Sequence, residues 1–195
     1  MCSGLGNLIL ATAEEAESRF PVLNLSREMT PDTGGAGRWR GQPGTKNVKQ
    51  VLEPVTAVSW MVSMRHPLRG LCGGDDAAPY ANHFLVGTDD EYAIENSVAA
   101  QLPAGAVLAY QYGGGGGFES PLLRDPEAVR EDVLDEYVSL EAARARYGVV
   151  LTGSVEGCDV AVDAQATRAL RERLLREGGA GEGDAEAGGG ANGAG

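Results

Sequence analysis

Three short stretches concentrate the residue types that chemistry could use. The first is Pro31-Asp-Thr-Gly34-Gly35-Ala-Gly37-Arg38-Trp39-Arg40-Gly41. Arg38 and Arg40 flank an indole there, and guanidinium forks match carboxylate or phosphate oxygens two at a time. A clamp for an anionic ligand is one reading. In the other, Trp39 packs and both arginines pair with surplus acids, the commoner fate of surface arginines. The second stretch is Gly70-Leu71-Cys72-Gly73-Gly74-Asp75-Asp76. Cys72 as a nucleophile would need a base, and the chain has only His66 and His83. A buried, inert thiol is expected instead. His83 with Asp75 or Asp76 would form a metal set of ordinary ligand type, but no H-x-x-x-H spacing supports it. The expectation is loop acids in water and a strand histidine. The third stretch is the run Gly113, Gly114, Gly115, Gly116 and Gly117, directly after Tyr112. Five residues without Cβ admit another backbone or an anion at close range; a flexible linker has the same composition. Ordered elements on both sides favour a functional or tightly packed loop.

Those elements are legible from periodicity. Ala106–Tyr112 alternates Leu108, Tyr110 and Tyr112 on one face, as a half-buried strand does. After the glycines, Asp125 is placed to cap a helix with Pro126 at its first position. Val129, Val133, Leu134 and Tyr137 fall on one face of it, leaving Glu127, Arg130, Glu131 and Asp135 for solvent. Ser139 starts a second helix, with Val138 and Ala143 spaced as a hydrophobic staple. Leu140, Ala143 and Tyr147 are expected on its inner face, Gly148 ends it, and Val149–Leu151 reads as a buried strand.

Towards the start, Ala11–Arg19 has the acids of a short helix and Phe20–Glu28 alternates as a strand. Further strands are expected at Val48–Leu52 and Val55–Met64, with a hairpin of Asn82–Val86 and Glu91–Glu95, after which Val98–Leu102 leads to the turn before the central strand. Cys158–Val162 is a last short strand. Asp163 then caps a helix carrying Ala166, Leu170 and Leu174. From Gly178 onward only Gly, Ala, Glu, Asp and Asn occur, a composition that buries no apolar area and predicts disorder. The division is therefore a leader over 1–19, one domain over 20–176 and a tail over 177–195. The fold class is α+β: a mostly β core, sandwich- or barrel-like with a mixed sheet, then a helical hairpin and a last helix.

Composition excludes several functions. The 195 residues carry a formal charge of −12, so nucleic acid and anionic membrane surfaces are poor partners. Cys2, Cys72 and Cys158 form no C-x-x-C pair, which removes zinc ribbons and redox motifs. Free thiols in a reducing cytoplasm are the default. No signal peptide or membrane span is read.

The stretches Pro31–Gly41, Gly70–Gly74, Tyr112–Pro121 and Asp125–Val150, in that order, resemble the hydantoinase B/oxoprolinase family. Family members carry a Pro-Asp-Ser-Gly-Gly-Ala/Pro-Gly-Arg/Lys-Trp/Tyr-Arg-Gly-Gly segment, which this chain matches with Thr33 for the Ser and a departure at Gln42. They carry Gly-Leu-Ala-Gly-Gly where Cys72 stands for Ala, and a glycine loop that here lacks its preceding Pro and has Glu119-Ser120 in place of Gly-Asp. The resemblance implies the C-terminal part of a longer subunit, working with a hydantoinase A-like partner and the missing N-terminal part of its own subunit. Such complexes use ATP to open cyclic amides such as hydantoins or 5-oxoproline; relatives carboxylate acetone or acetophenone. A non-catalytic scaffold or remnant is the remaining alternative. By the same resemblance ATP and a divalent metal belong to partner chains, and this chain alone binds no cofactor and holds no metal. No G-x-x-x-x-G-K-[ST] loop occurs. Gly34, Gly35, Gly37, Arg38, Arg40, Gly73, Gly74 and Gly113 to Gly117 are then the candidates for contact with a small-molecule substrate or a partner subunit.

Overall fold

The computed structural model describes residues 12–59, 65–94 and 98–181. The leader before Thr12, the end of the third expected strand (60–64), Glu95 and the tail after Gly181 lie outside the described residues.

Thr12 caps α1 (Ala13–Arg19) through its hydroxyl, which accepts from the Glu15 amide. The chain then enters β1 (Val22–Met29), β2 (Thr45–Val51), β3 (Val55–Ser59), β4 (Ala81–Phe84), β5 (Tyr92–Ala93), β6 (Val98–Leu102) and β7 (Val107–Gln111). Five of these strands form one sheet in the order β1-β2-β7-β4-β5, with antiparallel neighbours throughout. β3 and β6 pair as a separate antiparallel ribbon, Ala57 opposite Ala100. The ribbon lies over one sheet face, and the first core forms between them from Val51, Phe84, Ile94, Leu102, Ala106 and Leu108.

After the glycines a single 3-10 turn (Pro121–Leu123) leads to α2 (Pro126–Leu134) and α3 (Leu140–Ala145). Asp125 caps α2 by accepting from Glu127 N–H, and Ser139 caps α3 by accepting from Ala142 N–H. A small pair, β8 (Leu151–Thr152) with β9 (Ala161–Val162), precedes α4 (Ala164–Gly181), whose first turn is closed by Asp163 accepting from Ala166 N–H. The second core sits here: Val129, Val133, Val138, Ala143, Tyr147 and Val149 around Ala36 of the first glycine turn.

The expected α+β class, β core and C-terminal helices are present. The details differ in three places. Val149 and Val150 do not join a ladder; Val149 N–H donates to the Ala143 carbonyl and Val150 N–H to the Thr167 hydroxyl, so the strand begins at Leu151. Leu140 is exposed because the buried face of α3 is centred on Ala142 and Ala143. α4 continues to Gly181, past the expected start of the tail at 177.

Candidate functional site

The three glycine stretches meet in one place. Gly35 N–H donates to the Gly115 carbonyl (2.9 Å), Gly115 N–H to Gln42 (2.9 Å), Gly117 N–H to Asp75 (2.9 Å) and Asp75 N–H to Ala36 (2.7 Å). Phe118 is the hub of the arrangement. It forms an antiparallel bridge to Trp39 and a parallel bridge to Leu71, with Trp39 N–H to Phe118 O at 3.1 Å and Phe118 N–H to Trp39 O at 2.9 Å.

The packing explains the glycines. A Cβ on Gly35 would overlap the Asp75 carbonyl oxygen, on Gly41 the Gly115 oxygen, on Gly116 the Arg69 oxygen and on Gly117 the Ala36 oxygen. Gly34, Gly37, Gly74, Gly113 and Gly114 are likewise closed in by backbone atoms. The stretch after Tyr112 is thus a backbone-on-backbone knot, not a linker. Nor does it fit a phosphate: the amides of Gly35, Gly41, Gly115 and Gly117 already donate to carbonyls, and the space a cradle would offer is filled by main chain. Gly115 is the least confined of the five: its added Cβ would meet the Gln42 nitrogen at 3.3 Å, tight enough that this neighbour must give by a few tenths of an ångström. Gly73 stands at φ +89°, a conformation suited to glycine, on the knot's outer edge.

The arginines are committed to protein carboxylates. Arg40 Nε lies 2.7 Å from Asp132 Oδ1, and Arg124 Nη2 lies 2.7 Å from Asp132 Oδ2. The Arg40 guanidinium also sits 4.7 Å from the centre of the Tyr137 ring. Arg124 donates onward to the Arg38 carbonyl and receives Arg171 at its own carbonyl. Arg38 pairs with Glu119 at 3.1 Å, and Arg146 links Asp75 of the second glycine loop to α3. Arg40 is therefore a strut between the first glycine turn and α2, with no fork left for a ligand. Asp132 is the residue that sequence reasoning missed. Its spacing from Val129 and Val133 put it on the apolar face, and a carboxylate there signals a buried cationic partner.

Beside this network burial pushes the Tyr147 phenol up to about 12, with Arg124 opposing the shift. Two expectations fail outright. Trp39 does not pack; it is 63% exposed. Cys72 is exposed rather than buried, at φ +53°. Both follow from the bridges, which spend Trp39, Leu71 and Phe118 backbones on the knot and leave these side chains outside. Leu71 is 63% and Phe118 42% exposed, so three large apolar side chains share an open surface. His83 lies by Glu91 at 3.1 Å and Asp75 by Arg146; no group of three or more metal-ligating side chains occurs among the described residues.

Known proteins resemble this chain in sequence and in fold. The sequence profile of the family described as Hydantoinase B/oxoprolinase matches residues 1–121. The beta chain of the caprolactamase of Pseudomonas jessenii is 30% identical over 85% of this chain and 29% of its own length. The solved structure of ATP-dependent caprolactamase from that organism superimposes with a TM-score of 0.69 over 83% of this chain and 28% of that one. A putative D-/L-hydantoinase B-type subunit from Pseudomonas sp. (strain NS671) is 28% identical over 82% of this chain and 26% of its own length. A nucleotide-free acetone carboxylase shares the fold, with a TM-score of 0.75 at 23% identity over 87% of this chain and 27% of that one. The chain thus spans less than a third of the length of these relatives.

Proposed function

Since the chain belongs to the hydantoinase B/oxoprolinase family, we propose that it serves as one piece of an ATP-dependent assembly that opens cyclic amides, with the glycine knot as the surface that meets the remaining polypeptide. The support is threefold. Relatives are named as subunits of a caprolactamase and of a hydantoinase. The chain spans 26–29% of their length. Trp39, Leu71 and Phe118 stand open on a scaffold pinned by main-chain hydrogen bonds. The last observation carries the proposal: aromatic anchors on a preformed surface are what buried interfaces use. In this reading the partners are a hydantoinase A-like subunit and the N-terminal part of a hydantoinase B-like subunit. ATP and a divalent metal sit on those chains, and the site of action is the cytoplasm. The contribution of this chain is to seal and shape, not to carry phosphate.

Reconstitution tests it. Partner chains assayed with caprolactam or hydantoin should show substrate-dependent ATP hydrolysis that falls at least about tenfold without this chain. Phe118→Ser should abolish co-purification while leaving the isolated chain's melting temperature unchanged. Undiminished turnover without the chain defeats the proposal. Turnover only with acetone and bicarbonate assigns it to the carboxylase branch.

A further inference from the structure

A cavity of about 610 Å³ lies between β3, the α1–β1 junction and the strands β2 and β7. One side of its wall is apolar, built from Val51, Val55 and Leu108, and the rest is polar. Into this wall are set polar groups that the fold does not use. Ser59, the last described residue of β3, is 2% exposed and its hydroxyl has no hydrogen-bond partner. Asn47 Oδ1 is buried and equally unpartnered. Lys49, two residues on along β2, faces the same space. Burial depresses its pKa first and the Arg27 charge second, with no carboxylate opposing either. Among the described residues no Asp or Glu lines the cavity, in a chain with 28 acids.

The register makes this a built feature. Arg27, Asn47, Tyr110 and Asn82 are successive cross-strand neighbours on β1, β2, β7 and β4, so they form one polar row across the sheet. Asn82, at the end of the row, is 1% exposed with neither end of its amide partnered, but it lies against a separate hollow with Tyr80 and His83; the groups that face this cavity are Asn47, Lys49 and Ser59. Such groups each cost free energy unless something completes their hydrogen bonds. A ligand does so, and 610 Å³ is the size of a small-molecule site.

We propose that this cavity binds a small organic carboxylate that also bears an N–H, its anionic end on Lys49, its N–H on Asn47 and Ser59, and its hydrocarbon body against Val55 and Leu108. The three requirements are independent. The ammonium selects an anion, the orphaned acceptor selects a donor, and the wall selects a spacer of several carbons over an inorganic ion.

The test uses the full 195-residue chain and four probes: the monoamide of adipic acid, hexanoate, hexanamide and inorganic phosphate. By calorimetry the monoamide should bind tightest, with hexanamide and phosphate at least about tenfold weaker because each lacks a required group. Lys49→Met, which keeps the aliphatic stem, should weaken the monoamide about tenfold or more, and Lys49→Arg should restore most of the loss. Ser59→Ala should cost about threefold. Titration of the parent protein should move the backbone amide signals of Asn47, Lys49 and Ser59 together, a readout that survives if a variant fails to fold. Equal affinity for phosphate, unchanged affinity in a folded Lys49→Met, or no binding and no signal shift at millimolar monoamide overturns the proposal. The isolated chain suffices, so the outcome is separate from that of the assembly assay.

Discussion

The two cores treat buried polarity in opposite ways. At the helical end Asp132, 8% exposed, is held by Arg40 and Arg124, and both arginines are engaged again by carbonyls or a ring. At the sheet end Asn82 and Ser59 are buried as deeply and have no partner at all. The first arrangement fixes geometry: each guanidinium ties a loop to a helix. The second leaves bonding capacity unspent, which a fold tolerates where something else is to be bound. One core thus spends its buried polar groups on fixing geometry, and the other leaves them unspent.

The contrast can be broken by mutation. Asp132→Ala strands two largely buried guanidiniums and should destabilise the chain by about 3–5 kcal/mol in urea denaturation. A loss under about 1 kcal/mol would mean the network is ornamental. Next in size, Gly35→Ala drives a methyl into main chain and should cost about 3 kcal/mol. Gly115→Ala, which asks Gln42 to give by only a few tenths of an ångström, should stay within about 1 kcal/mol. Similar values for the pair would show that the knot yields.

Alkaline titration reports on both ends at once. Burial raises Tyr147 and Tyr110 to about 12, above the ordinary phenol value of about 10. The folded state therefore holds these protons more tightly than the unfolded one. The stability they lend is whole below about pH 10 and is lost as pH climbs towards about 12. Tyr147→Phe and Tyr110→Phe should each flatten that decline in a series of melts, and an unchanged slope refutes the assignment. The smallest effect belongs to the sheet end. Ser59→Ala removes an unmatched hydroxyl and should change stability by no more than about 1 kcal/mol, in the stabilising direction. A clear loss would reveal a partner for Ser59.

Much of this was legible beforehand, for stated reasons. Caps at Asp125, Ser139 and Asp163 and the alternation of Val107–Gln111 are local signals, and they appear where the residues demand. The three glycine stretches were recognisable as special, but that they would fill one another was not. Their partners lie some 40 and 80 positions apart in sequence, and a missing side chain says nothing about what takes its place. The same limit hid Asp132, whose partners come from outside its helix. The arginines beside Trp39 were read with two outcomes open, and the pairing with acids is the one realised. The indole went the other way because its backbone, not its ring, is what the knot uses. The polar row Arg27–Asn47–Tyr110–Asn82 emerges only from strand order and register, since nothing local distinguishes an asparagine facing a cavity from one facing water.

The knot also has a bearing on how quickly the molecule reaches its native state. Arg38 and Glu119, joined across it, stand 81 residues apart, and its contacts run from main chain to main chain. Closing loops of that length costs entropy before any main-chain bond is returned. The β1–β2 pair, 16 to 29 residues apart, and the helical hairpin can each form from nearer neighbours, so the knot should close after them, as a slow step of refolding. Hydrogen exchange during refolding should accordingly protect Val48 and Val133 amides before those of Gly35 and Gly117.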